Sequence, residues 1–435
     1  MADKQELRKT AEYALETLNK SGADGAEVTL SSGRTDEINV DAGEFSLMRT
    51  TFNSSFNVRA LIGGRKGVSN VNGIDRDSID KAAQAALDAA KSSEPDEAEI
   101  IAAGLGESSF EYGAGQLDLD LFYDRFSEFM ETVKNEYPKV VIGQAVAVYD
   151  TVNSVYANSN GSVFFTNQAL YNFDVMFAAR DGDKSSSFNG YGFTLDKLNR
   201  KFIEIADMRR LLEEAEKQID TIPVEGKFTG KLLVSPDCLI DFLNSIFGNC
   251  LKDGALIAGD SPWKDKLGET VAHPSLSVSS DPLNPALIGY SRHTGDGYIS
   301  GKHDIISGGK LSAFILSQYG AKKTGRNRAG NYDGAYIIAP GDKTFNELLS
   351  GIDEGLLINR FSGGDPATNG DFSGVAKNSF LIKNGKVTDA VSETMISGNL
   401  LDMLNNISGI SRELICDGKT QKPWMVFDGV TVSGK

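Results

Sequence analysis

Two apolar rhythms alternate along the chain, one of about 3.6 residues and one of two, and their changeovers outline the elements. Leu7, Ala11, Ala14, Leu15 and Leu18 keep the helical period, and Gly22 stands where a C-cap belongs. Strands are predicted at 26–30 and 37–40, on either side of a polar loop SSGRTD, and then a hairpin in which 56–62 turns at Gly63-Gly64 into 66–71. Asp75 or Asp77 caps an alanine-rich helix to about Lys91, and the acidic, glycine-spotted segment 94–116 reads as a connector.

A second round repeats the order. Phe122, Phe126, Phe129, Met130 and Val133 form a helical stripe that Pro138 stops, and strand chemistry follows at 140–149. Asn158-Ser159-Asn160-Gly161 joins 155–157 to 163–166 as a hairpin, 171–179 continues as strand, and a charged helix is predicted from about Ile203 to Ile219. Beyond Pro223 the texture changes to short apolar runs at 231–234, 311–317, 335–338, 380–382 and 430–432, with turns at Gly308-Gly309 and Asn384-Gly385 and short helices near 344–352 and 399–407. The 46 glycines suit a sheet with many tight turns. The prediction is an α+β chain: an α/β half of helix-then-sheet rounds over 1–223, divisible near 94–116, and a glycine-rich, mainly β domain over 224–435.

One predicted helix stands out for what it lacks. In SPDCLIDFLNSIFGNCLKDG, residues 235–254, Ser235 is an N-cap, Pro236 takes the first helical position, and Leu239, Phe242, Leu243, Ile246 and Phe247 share a face. Its polar positions carry no histidine and no glutamate.

Composition narrows the function classes. A chain of 435 residues, 40% hydrophobic, has material for a large core. The charged start MADKQELRK and the brevity of every apolar run predict a cytoplasmic protein with no membrane partner. Cys238, Cys250 and Cys416 form no CxxC pair and are expected to be reduced. A net charge of -16 argues against direct nucleic-acid binding; Lys322, Lys323, Arg326 and Arg328 make a local basic patch, for which a solvated loop is the plainer reading.

Known motifs mostly fail. Gly418-Lys419-Thr420 ends like a P-loop, but Glu413 occupies the required glycine position; Gly295, Gly297 and Gly301 miss the dinucleotide fingerprint by one residue; and there is no GxSxG. None of the three histidines, His273, His293 and His303, precedes a glutamate. A hairpin would bring His293 and His303 together near Asp296 or Asp304, so these two histidines and Cys416 are the metal candidates. The competing reading is of structural histidines and an inert thiol.

The stretch TNGDFSGVAKNSFLIKNGKVTDAVSETMISGNLLDMLNNI, residues 368–407, resembles the TldD/TldE (PmbA) family. FNVRALIGGRKGVSN at 56–70, ANSNG at 157–161, GKFTGKLLVSP at 226–236, IAPGDKTFNELLSGIDEGLLI at 338–358 and the closing DGVTVSGK support it in order. The resemblance implies a peptidase of two related subunits that holds an unfolded peptide as an added strand in a shared cavity. One subunit carries zinc on an HExxxH motif with an added cysteine; the other lacks these ligands. This chain has no histidine before His273 and no His-Glu pair, so it resembles the second, TldE (PmbA) type. The helix from Pro236 to about Asn249 would then stand at or just before the place of the zinc motif, and Cys416 near that of the cysteine ligand. On this basis no catalytic residue, metal or cofactor is expected here, zinc is expected in a TldD-like catalytic partner, and the isolated chain is expected to form a homodimer. Two other readings stay open: a self-sufficient peptidase using His293, His303 and nearby carboxylates, and a protein that binds DNA gyrase.

Overall fold

Backbone pairing carries strand structure well past the apolar runs. Gly25–Asp41 is one unbroken strand, so the expected SSGRTD loop does not exist. It pairs antiparallel with Glu44–Ile62 on one edge and Val140–Asn158 on the other, and those two ladders satisfy the polar stretch on both sides. The computed structural model describes residues 1–392 and 394–434.

Among the described residues eight strands form the first sheet, in the order Arg65–Val71, Glu44–Ile62, Gly25–Asp41, Val140–Asn158, Ser162–Asp181, Gly106–Gly113. Lys184–Ser185 and Asn189–Leu195 also pair with Ser162–Asp181. Gly106–Gly113, which joins it in parallel, corrects the reading of 94–116 as a plain connector. The predicted hairpins at Gly63-Gly64 and Asn158–Gly161 form, with Gly63, Gly64 and Gly161 at positive φ. Val28, Leu30, Ile38 and Val40 project to one face and are covered by the helices Lys4–Lys20, Arg76–Ser92 and Leu119–Glu136. Thr29, Ser31, Thr35 and Glu37 alternate to the other face, which is polar. The helix expected at 203–219 is broken: a 3-10 turn at Phe202–Glu204 and the helix Met208–Lys217 are separated by Ala206 at φ +49°, which no α-helix can pass through.

The second sheet, among the described residues, runs from Lys310–Leu311 through His303–Ser307, Val278–Ser280, Tyr336–Ile338, Gln421–Ser433, Lys227–Val234, Glu354–Ile358, Ser379–Lys383 and Lys386–Ser392 to Thr221–Pro223. The predicted turns at Gly308-Gly309 and Asn384-Gly385 and the helices Phe345–Ser350 and Leu400–Asn405 are present. The 311–317 run is not a strand beyond Leu311, because its chain turns into the helix Gln318–Thr324 capped by Ser317. The fold is thus α+β with a mainly β second part. Among the described residues no helix is long and apolar enough to cross a membrane.

Candidate functional site

The helix Pro236–Cys250 follows the strand Lys227–Val234 directly, and the Ser235 side chain caps it by accepting from Cys238 N at 3.4 Å. Its burial is wider than the predicted stripe: Pro236, Cys238, Leu239, Ile240, Phe242, Leu243, Ile246, Phe247 and Cys250 are all buried. Asp241, Asn244 and Gly248 are exposed, with Asp237 and Ser245 partly so, and together they form the one open strip. Burial pushes the Cys238 thiol far up and that of Cys250 to about 12, so both are inert.

At the first turn a lysine fills the space between two carboxylates. The Lys422 side chain is only 3% exposed, and its Nζ donates to Asp237 Oδ1 at 2.5 Å and Asp417 Oδ2 at 2.7 Å. Burial works against its charge, but Asp237 and Asp417 outweigh that and hold its pKa up at about 12. Burial likewise opposes ionisation of Asp417, yet Lys422 and the backbone N–H groups of Lys419 and Thr420, at 2.8 Å each, bring its pKa below the usual range. Asp237 stays raised, with burial the dominant cause. The Asp417 carbonyl also accepts from Thr194 N at 2.8 Å, tying the segment to the first sheet.

A second buried network lies close by. Arg210 bonds Asp207 and Glu214, reaches Asn359 Oδ1 at 3.0 Å and stacks over Trp424 at 4.6 Å. Asn359 donates to Glu214 at 2.6 Å, and its carbonyl accepts from the Ser235 hydroxyl at 3.2 Å. The cap of the helix is therefore fixed by the same residues that lock the helix Met208–Lys217 to the second sheet.

Beside Ile240 and Asn244 of this helix lies a cleft of about 390 Å³. Ile240 and Asn244 form one wall; Tyr290, Tyr332, Gly334 and Tyr336 form the other, with Lys252, Asp333 and Thr420 completing it. The Phe247 ring meets Tyr336 edge-on at 4.9 Å. A neighbouring cavity of about 370 Å³ shares Tyr332 and extends to Glu27, Arg59 and Glu99. There Arg59 bonds Glu27 at 2.9 Å and Glu99 at 2.6 Å, so those charges are already paired.

The sequence-derived candidates are not assembled into a centre. The hairpin at 293–299 pairs His293 with Ile299, while His303 pairs with Ser280 in the sheet. His293 packs among Phe164, Tyr156 and Phe110, with ring centroids 5.5 to 6.3 Å away, and burial lowers its pKa. Burial also lowers that of His303. Asp296 is engaged by Arg328 at 2.8 Å, Thr294 at 2.6 Å and Gln318 N at 2.8 Å. The Cys416 sulfur faces the Ala286 carbonyl at 3.5 Å, and burial raises its pKa. Among the described residues no group of three His, Cys, Asp or Glu side chains is placed to hold a metal. The basic patch is mostly engaged: Lys323 pairs with Asp96 at 2.8 Å, Arg328 with Asp296, and Arg326 caps the Lys264 carbonyl at 2.7 Å, while Lys322 is exposed.

Sequence reasoning missed Lys422 and the tyrosines. Lys422 had a visible signal, a lone cation beside Pro423-Trp424-Met425-Val426-Phe427 in a run otherwise built to be buried. The convergence of Tyr290, Tyr332 and Tyr336 on Asn244 had none, since it depends on how distant segments pack.

Comparison with known proteins agrees with this architecture. Residues 227–434 match the PmbA/TldA metallopeptidase C-terminal domain, and residues 26–90 match PmbA/TldA metallopeptidase domain 1. A metalloprotease PmbA homolog of Haemophilus influenzae is 24% identical, over 100% of this chain and 97% of its own. Two crystal structures share the fold: TldE of Thermococcus kodakarensis, with TM-score 0.83, 18% identity and coverage of 98% of this chain and 100% of that one, and a candidate modulator of DNA gyrase from Bacteroides thetaiotaomicron, with TM-score 0.85, 21% identity and 100% coverage of both. With both domain models matched in order and the relatives aligned over the full length, the chain belongs to the TldD/TldE (PmbA) family.

Proposed function

We propose that this chain is the non-catalytic, TldE/PmbA-like subunit of a two-chain zinc metallopeptidase acting on unfolded peptides. The observation that carries this reading is Lys422. A catalytic zinc needs three protein ligands and an open position for water. Here the carboxylates nearest the start of the helix, Asp237 and Asp417, already hold a built-in ammonium, and a fixed cation there repels a metal dication. The helix offers Asp241 and Asn244 beyond them and no imidazole. The chain contributes walls and clefts, and a TldD-like partner contributes zinc and the attacking water.

A self-sufficient peptidase would need His293 and His303 in one centre; their separate pairings speak against it. We place the functional boundary at residue 223, ahead of the segment matched as the C-terminal domain. The purified chain is expected to hold no stoichiometric zinc, to cleave no unfolded peptide, and to run as a homodimer by light scattering in the absence of a partner. Elemental analysis showing one tightly held zinc per chain, with peptidase activity lost on chelation, would overturn the proposal.

A further inference from the structure

We propose that the tyrosine-walled cleft beside the helix Pro236–Cys250 binds the C-terminal carboxylate end of a peptide. The ligand class rests on the peptidase-subunit reading above; the site and the chemical group it selects go beyond it.

The first observation is an orphan. Tyr336 is 4% exposed, and among the described residues its hydroxyl has no hydrogen-bond partner. A buried phenol without a partner is costly, and the cost is recovered when an acceptor arrives. The ring cannot easily turn away, because Phe247 packs against it and the strand Tyr336–Ile338 fixes its backbone. The second observation is unused polarity at the mouth. Lys252 is exposed, lines the cleft and joins no ion pair among the described residues, and the exposed Asn244 amide makes no hydrogen bond there either. The third is that the cleft is kept open. Gly334 lies at φ +106°, and a Cβ on it would come within 2.6 Å of the Tyr290 hydroxyl.

The mixture of groups selects the ligand. Lys252 and Asn244 supply donors for an anion at the mouth, with the buried Tyr336 hydroxyl behind them as a third, but Asp333 faces the same space. A free phosphate carries the higher charge at neutral pH and meets the stronger repulsion from Asp333. A peptide end carries one negative charge and, on the far side of its last Cα, a backbone N–H from which Asp333 can accept. The volume of about 390 Å³ falls within the ~300–1,000 Å³ usual for small-ligand sites. A site of this kind on the metal-free subunit would hold one end of a chain while the partner's zinc acts elsewhere along it.

The test titrates the full-length chain with a fluorescent unfolded decapeptide, made with a free C-terminal carboxylate and as its C-terminal amide. The acid should bind about tenfold or more tighter than the amide, as expected for losing a charge-assisted contact. Lys252→Gln should abolish that difference. Tyr336→Phe should weaken the acid while leaving the thermal midpoint unchanged or higher, because it removes a hydroxyl that satisfies nothing in the fold. Equal affinity for acid and amide, binding of neither, or a Tyr336→Phe variant that loses stability but not affinity would each overturn the cleft assignment. Peptidase activity on mixing with a TldD-like chain is a separate readout. If that activity appears and the acid preference does not, the cleft proposal alone fails; the reverse pattern sinks only the subunit reading.

Discussion

Replacing Lys422 with methionine is expected to destabilise the protein by about 3 kcal/mol, the lower end of the ~3–5 kcal/mol seen when one partner of a buried ion pair is removed. The lower end applies because the Asp237 side chain keeps 34% of its exposure and can recruit water. The sign of the pH dependence follows from the direction of each shift. Lys422 is raised to about 12, so its contribution is complete below the ordinary lysine range and is lost as pH climbs through 12. Asp417 is lowered, so its contribution is present above the ordinary carboxylate range and is lost as pH falls through its folded value. The methionine variant removes the positive charge that opposes the burial raising Asp237, and its ionisation becomes more costly still. The penalty should therefore be smaller at about pH 5 than at about pH 8. Denaturant unfolding at the two pH values checks this; a penalty that is small at both would mean that the lysine bridge does not hold the helix cap and the segment 416–420 together.

Gly67→Ala is the second large effect. The strand Arg65–Val71 lies so close to the helix Arg76–Ser92 that a Cβ at Gly67 would sit 1.8 Å from the Ala86 carbonyl oxygen and 2.4 Å from the Ala90 nitrogen. Both are backbone atoms, so no side-chain rotation relieves the clash, and the helix must move as a unit. Ala82, Ala83, Ala86 and Ala90 are all buried on that helix, which is why it can approach the sheet at all. A loss of about 3 kcal/mol is expected, at the upper end for overpacking. Gly115→Ala, where a Cβ would have nothing within 4 Å, should be close to neutral and serves as the control. Thermal midpoints of the two variants that fall together would contradict the close helix-sheet contact.

The elements were legible where one physical signal was strong and local. Asp75 and Ser235 announce their helices as caps, and Gly63-Gly64 and Asn384-Gly385 announce hairpins because their left-handed backbone suits few other residues. Reading failed where long-range pairing decided the outcome. Ser31 to Asp36 look like a loop, and become strand only because two distant segments complete their hydrogen bonds. Glu107 to Tyr112 lack an apolar run, yet pair with Ser162–Asp181. The same division governs the site. The missing histidines on 236–250 are visible in the sequence, whereas Lys422 bridging Asp237 and Asp417 spans 185 residues and could be found only in the fold.

We propose that this chain completes an enzyme whose metal stands on another chain. The most direct measurement mixes it with a TldD-like subunit bearing HExxxH and follows cleavage of an unfolded peptide. Each chain alone should be inactive or nearly so, and an equimolar mixture should form a heterodimer by light scattering and cleave the peptide in a zinc-dependent manner. Failure to form that complex, or a mixture no more active than the TldD-like chain by itself, would contradict the subunit role.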